Sequence, residues 1–96
     1  MRADYDSTAN AISIAITDAP HADGSDEVHH RAIVALAGDR PVEVQLLYPE
    51  MGITEPLTAV ADRYELDREA LHAAAQSALA APDRLVILEV AARASA

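Results

Sequence analysis

The sequence contains no cysteine, phenylalanine, tryptophan or lysine. Without cysteine there is no disulfide, no thiolate nucleophile and no cysteine metal site. Three glycines are too few for the glycine-rich loops that hold phosphates. With only three tyrosines as aromatic residues, the core must be built from valine, isoleucine, leucine and alanine.

Cations are scarce as well, since seven basic residues face sixteen acidic ones for a formal net charge of −9. Such a chain is repelled by phosphate backbones and by anionic lipid. No apolar run approaches the roughly 20 residues that span a bilayer, and the first residues lack a signal-peptide pattern. We therefore predict no nucleic-acid partner, no membrane and a cytoplasmic location, with basic proteins as the favoured partners.

The remaining composition is that of a folded protein, with 51% hydrophobic and 24% charged residues. Its 96 residues suit one domain, 1–96. Small aliphatic side chains gain little on burial, so a second chain would relieve a shallow core. This predicts a homodimer.

The first half of the chain has the period of β-strands. Residues 11–17 alternate, with isoleucine at every second position, and residues 18–26 have the breakers of a loop. Residues 28–37 and 42–48 are extended in character and are separated by a Gly-Asp-Arg-Pro turn. The pattern predicts a three-stranded β-meander within residues 4–50.

The second half changes to a helical period. Thr54 is the predicted cap of a first helix and Asp67 of a second, within a helical pair at 54–81. Residues 84–90 return to β character, and an alanine-rich tail, 91–96, is expected to fray. The predicted fold is α+β, an antiparallel sheet of three N-terminal strands plus one C-terminal strand, with two helices packed on one face.

Residues 4–50 resemble a family of small bacterial domains of unknown function, number 2283. Tyr5 and Asp6, followed by Asn10 and an alternating aliphatic strand, match the opening pattern of that family. Residues 26–28 and 42–47 continue the match. The resemblance implies a short β-meander domain and, as for some members of the family, an antitoxin-like role.

Three positions depart from the family pattern. Asn10 stands where the family has an acidic residue, Gln45 where it has glutamate, and the position near Arg31 lacks the usual glycine. Two carboxylates replaced by amides weaken an acid–base or metal interpretation of these positions.

The four histidines invite a metal hypothesis, because imidazole is a common ligand. His29 and His30 are adjacent in a predicted strand, so we expect their side chains to leave on opposite faces. His21 could gather with Asp23 and Asp26 in the loop, although such loops are more often turns. We predict no bound metal and no cofactor.

No serine lies in a glycine-bracketed elbow, so the chain has no pattern of a nucleophilic enzyme. Asp6 and Asn10 form the most suggestive polar pair, which we expect to bond local backbone. The alternative is a small enzyme or metal-binding domain around Asp6, Asn10 and His21.

The helical pair 57–79 has a spacing similar to a helix-turn-helix, with Glu65 where a turn glycine usually stands. Its second helix presents Arg68 and Gln76 but also acidic residues, whereas DNA-reading helices need cations toward phosphates. A hairpin packed on the sheet explains the same spacing. A DNA-associated transcriptional regulator therefore remains an alternative.

The leading hypothesis is a non-enzymatic protein–protein interaction module that binds a basic partner or a second copy of itself. The C-terminal strand has apolar residues on both faces, and the helices can cover only one face of the sheet. The predicted centre of the interface consists of Val86, Leu88 and Val90, with Tyr48 as an aromatic anchor.

Overall fold

The computed structural model describes residues 1–17 and 21–88, which form six strands, one 3-10 turn and two α-helices. The α+β class is confirmed. The prediction of three N-terminal strands plus one C-terminal strand is wrong, because five strands precede the helices. The strands are β1 (Arg2–Asp6), β2 (Ala11–Ala15), β3 (Gly24–His29), β4 (Ala32–Ala37), β5 (Arg40–Leu47) and β6 (Leu85–Ile87).

The two unpredicted strands are weak as sequence patterns. β1 has only Ala3 and Tyr5 as alternating apolar residues, and its outward positions are charged. β3 contains a single large apolar residue, Val28, and lies at an edge of the sheet. Residues 28–37 are not one strand, since a turn at residues 30–31 separates β3 from β4. These two strands form by backbone pairing with a neighbouring strand, and no local hydrophobic pattern predicts them.

The strand order is β3-β4-β5-β2-β1-β6, and every neighbouring pair is antiparallel. The single meander predicted for residues 4–50 is therefore wrong. β3, β4 and β5 form a meander, whereas β1 and β2 form a hairpin whose second strand pairs with β5. β6 completes the sheet beside β1.

The helices are α1 (Thr54–Tyr64) and α2 (Arg68–Ala80). Asp67 caps α2 as predicted, because its side chain accepts the Ala70 N–H at 3.1 Å. The predicted cap by Thr54 is wrong: Thr54 is the first helical residue, and its Oγ1 lies 3.2 Å from Nε2 of His72. Glu65 ends α1 in the left-handed conformation that glycine usually adopts there. No helix within the described ranges is long and apolar enough to cross a membrane.

Both helices pack on one face of the sheet and form a single core with it. α1 contacts β3, β4 and β5, while α2 contacts β2, β1 and β6. The buried face of α2 is mostly alanine and contacts the strand that contributes Ala3, so this helix and the sheet can approach closely. The buried core consists of Ala3, Ile12, Ile14, Ala32, Val34, Val44, Leu46, Leu57, Val60, Ala61, Leu71, Ala74, Ala75 and Ala78.

We expect Leu71→Ala to lower the free energy of unfolding by about 2–5 kcal/mol, because it opens a cavity between α2 and the sheet. The matched control is Leu85→Ala, at a leucine that is 60% exposed, with an expected change within about 0.5 kcal/mol. Urea denaturation of both variants makes the measurement. Equal losses of unfolding free energy in the two variants would contradict a core that lies on one side of the sheet only.

Candidate interaction surface

The face of the sheet opposite the helices, here called the open face, carries the side chains that alternate with the core residues. Its register can be followed across all six strands in two rows. One row contains Ser25, Ala35, Glu43, Ala15, Arg2 and Ile87, and the next contains Glu27, Ile33, Gln45, Ser13, Asp4 and Leu85.

The open face is acidic. Glu27 and Glu43 are exposed on it, Asp4 is half-buried, and Asp6 lies one pair beyond Asp4 on β1. Arg2 is the cation within the two rows. Within the two rows, three carboxylates outnumber one guanidinium and give this face a negative field, which attracts cationic groups and repels a second acidic surface.

Its most exposed apolar side chains are on β6, where Leu85 is 60% and Ile87 is 74% exposed. Each borders a shallow depression beside β1. Leu85 lines one with Asp4, Asp6, Asp83 and Arg84, whereas Ile87 lines the other with Met1, Arg2, Ala15, Ile16 and Thr17. Three carboxylates, one guanidinium and the apolar side chain of Leu85 thus meet at one end of β1, and a hollow of mixed polarity that contains Ile87 and Arg2 lies at the other.

Two turns at the acidic end are tied together by Asp83. Its carboxylate accepts the Ser7 N–H at 2.9 Å and the Ser7 hydroxyl at 2.7 Å. Its own N–H donates to the Tyr5 carbonyl at 2.7 Å. These donors, the Ser7 backbone first, lower the pKa of Asp83 below its ordinary value. The contacts fix the start of β6 against the end of β1.

Asp6 bonds local backbone, as expected for one member of the predicted polar pair. Its Oδ1 accepts the N–H groups of Thr8 and Ala9 at 3.0 and 3.1 Å, which closes the turn between β1 and β2. The Asp6 carboxylate is therefore held in position on the open face.

Asn10 instead bridges separate segments with its side chain. It has a φ of 55° at the end of the same turn. Its Oδ1 accepts the Tyr5 hydroxyl at 2.9 Å, and its Nδ2 donates to both carboxylate oxygens of Glu50, at 3.0 and 3.2 Å. The three family-motif positions Tyr5, Asp6 and Asn10 thus stabilise one hairpin end.

His21 does not join Asp6 and Asn10. The nearby Asp23 accepts the Gly38 N–H at 3.0 Å, which places this segment at the β4–β5 turn. Asn10 lies at the other end of β5, where its carbonyl accepts the Tyr48 N–H. An eight-residue strand separates the two ends by about 23 Å. The polar cluster of the enzyme or metal alternative is therefore not assembled.

The expectation that His29 and His30 leave on opposite faces is wrong. Their rings stack with centroids 4.3 Å apart, because the register shifts after Glu27 and His30 lies in the turn. Nδ1 of His29 accepts the Arg31 N–H at 3.1 Å, and its Nε2 lies 3.5 Å from a Glu55 oxygen. Over the described residues, no group of three or more acidic or histidine side chains could hold a metal ion.

Arg31 is a buried cation, only 6% exposed, that organises the segment after β5. Its guanidinium Nη1 lies 2.9 Å from the Gly52 carbonyl oxygen, 3.2 Å from that of Tyr48 and 3.4 Å from that of Leu47. Tyr48 has a left-handed backbone, with φ 49° and ψ 60°. This strained residue is held in a position where it is 51% exposed.

The edge strand β3 is tied to α1 by Asp26. Its Oδ2 accepts the Tyr64 hydroxyl at 2.6 Å and lies 2.9 Å from Nε of Arg63. The hydrogen bond to Asp26, with burial acting in the same direction, raises the pKa of Tyr64 above its ordinary value. This contact belongs to the packed face of the sheet and contributes nothing to the open face.

The residues predicted for the interface are divided by the sheet. Val86 pairs with the buried Ala3, so Val86 points to the helix side. Leu88 is half-buried against the core. Tyr48 is exposed beyond the end of β5, and Val90 lies outside the described residues. The exposed side chains of the same strand are Leu85 and Ile87.

The α2 face that a helix-turn-helix would present is polar but not cationic. Thr54, Arg68, Glu69, His72, Ala73 and Gln76 line a depression there. One cation and one carboxylate offer little to a phosphate backbone. Comparison with protein-family models, curated proteins and solved structures finds no match for the chain, so the resemblance to family 2283 stays a prediction.

Sequence reasoning missed the residues that shape the open face. The alternation along β6 puts Leu85 and Ile87 on one face and Val86 on the other. Which of these faces points toward the helices depends on the pairing of β6 with β1, and β1 was not predicted. The Ser7–Asp83 contact joins residues 76 positions apart and leaves no local signal. The carbonyl oxygens around Arg31 also come together only in the folded chain.

We expect Ser7→Ala to raise the pKa of Asp83 toward its ordinary value, because one of its two Ser7 donors is lost. The native pKa is lowered, so the contact stabilises the fold above pH 3.8 and is lost as pH falls through the native value. Carbon-13 NMR titration of the carboxyl carbon makes the measurement. Ser25→Ala is the control, and an unchanged Asp83 pKa in Ser7→Ala would contradict the assignment.

We expect Arg31→Met to lower the free energy of unfolding by about 1–3 kcal/mol, since the partly buried carbonyl oxygens of Leu47, Tyr48 and Gly52 lose a charged donor. The Gly52 N–H, which donates to Pro49, should also exchange faster with solvent. Arg63→Met is the matched control, where an exposed ion pair should cost less than about 1 kcal/mol. Hydrogen exchange and urea denaturation test both, and equal effects would contradict the role of Arg31.

Proposed function

We propose that this protein is a non-enzymatic protein–protein interaction module that binds a basic partner through its open face. The observation that carries the proposal is one-sided packing. Both helices lie on the same face of the sheet, while the other face is acidic and exposes Leu85 beside Asp4 and Ile87 beside Arg2. Exposed apolar side chains rimmed by charge are typical of interaction sites.

Charge complementarity favours a basic partner over a second copy. Two open faces packed together would bring Asp4, Glu27 and Glu43 of one chain against the same residues of the other. Like charges across an interface oppose association, whereas lysine and arginine would be attracted. The antitoxin-like role implied by the resemblance, in the cytoplasm, is one form of this proposal.

In the homodimer predicted from composition, a second copy of the chain would cover the open face in place of a basic partner. Light scattering after size exclusion at micromolar concentration separates the two. A mass near 10 kDa is expected. A doubled mass that falls to the monomer mass in the Leu85→Glu/Ile87→Glu variant would show that a second copy binds the open face, and would contradict the proposal.

The direct test is affinity capture with the wild-type chain, followed by titration of each captured and purified protein against three forms of the chain. We expect a partner of basic isoelectric point whose affinity falls at least tenfold in Leu85→Glu/Ile87→Glu. The control is Met51→Glu, which alters another exposed apolar residue away from the open face and should bind like wild type.

Results that contradict the proposal are equally specific. A partner whose affinity is unchanged in the double variant would place binding elsewhere. Sequence-dependent binding to duplex DNA at physiological salt, measured by anisotropy, would favour the regulator alternative instead. Added salt should weaken the expected complex, because its attraction is partly electrostatic.

A further inference from the structure

The shape and charge of the open face also define what kind of basic segment fits it. The half of the face formed by β2, β1 and β6 has two depressions, one at each end of β1. At one end the carboxylates of Asp4, Asp6 and Asp83 lie together with the Arg84 guanidinium, and at the other the exposed Ile87 lies beside Arg2 and Ala15 in a hollow of mixed polarity.

The acidic depression is held in position by its own hydrogen bonds. Asp6 accepts two backbone N–H groups, and Asp83 accepts both the N–H and the hydroxyl of Ser7. An arriving cation therefore meets carboxylates whose orientation is already set, which lowers the entropic cost of binding. The apolar wall of Leu85 beside them suits the hydrocarbon stem of lysine or arginine.

The two depressions are about 10 Å apart, because they are separated by about three residues of an extended strand. Two turns of an α-helix cover about 11 Å. A helix lying along β1 would place a cationic side chain in the acidic depression and an apolar side chain seven residues away in the hollow beside Ile87.

The floor between the depressions permits such an approach. β2 presents Ser13 and Ala15 to the open face, and both are small. Sheet faces are covered either by helices or by another sheet. The acidic charge opposes a second copy of this sheet, so a helix is the favoured cover.

We infer that the open face binds a cationic amphipathic helix of about 12–16 residues, with a lysine or arginine at the Asp4–Asp6–Asp83 depression and an apolar anchor beside Ile87. This inference rests on the proposed function and adds the secondary structure and side-chain pattern of the partner. The ligand is a protein segment, recognised by charge and by one apolar stripe.

The test uses three synthetic fluorescein-labelled 16-residue peptides and anisotropy at physiological salt. The first is an amphipathic helix of leucine, lysine and alanine. The second has the same composition in a permuted order without helical periodicity, and the third replaces lysine by glutamate. We expect micromolar binding of the first, at least tenfold weaker binding of the second and no binding of the third.

Matched variants locate the contact. Asp4→Asn and Ile87→Ser should each weaken the first peptide about fivefold or more. Asp39→Asn, the same change of charge in the turn between β4 and β5, and Met51→Ser should stay within twofold of wild type. Equal effects of the site and control variants, or equal binding of the first two peptides, would overturn the inference.

Failure of this inference can be distinguished from failure of the proposed function. A purified basic partner that loses affinity in Leu85→Glu/Ile87→Glu, while neither the helical peptide nor the partner's own helices bind, would contradict the helix and leave the interaction module standing. A face that binds neither partner nor peptide would contradict both.

Discussion

Two helices can cover only one face of this six-stranded sheet, and most other features follow from that constraint. The packed face supplies the whole buried core, with Ile12 and Ile14 of β2 at its centre. α2 contributes mainly alanine to this core, which suits close approach to β1 and β2. A core of small side chains is dense but thin. No described residue forms a second layer of helices or strands on the opposite face.

The open face is acidic but is not a simple solvated surface. A surface needed only for solubility would keep large apolar side chains off an edge strand, because an exposed strand edge invites pairing with other chains. Here Leu85 and Ile87 remain exposed on β6, where Leu85 pairs with Asp4 of β1 and Ile87 pairs with Arg2. The combination of exposed apolar side chains and fixed carboxylates is what an interaction surface for a basic segment requires.

The turns position this surface through contacts between segments that are distant in sequence. Asp83 joins the start of β6 to Ser7, and Asn10 joins the first hairpin to Glu50. Arg31 fixes the chain after β5 by donating to its carbonyl oxygens. Each contact gives a hydrogen-bond partner to a backbone or carboxylate group, and leaving such a group without a partner would cost free energy. The functional proposal therefore depends on turns as much as on strands.

The sequence by itself determined the α+β class, the two helices and the strands with strict alternation, because a period of 2 or 3.6 is a local property of the chain. It also determined the acidic charge and the cap at Asp67. β1 and β3 depended on pairing, since too few apolar residues mark them, and that pairing decided which side of β6 is exposed. The stacking of His29 on His30 and the separation of His21 from Asn10 were likewise decided by register and strand order. Such contacts join residues far apart in the chain, so only the tertiary structure decided them.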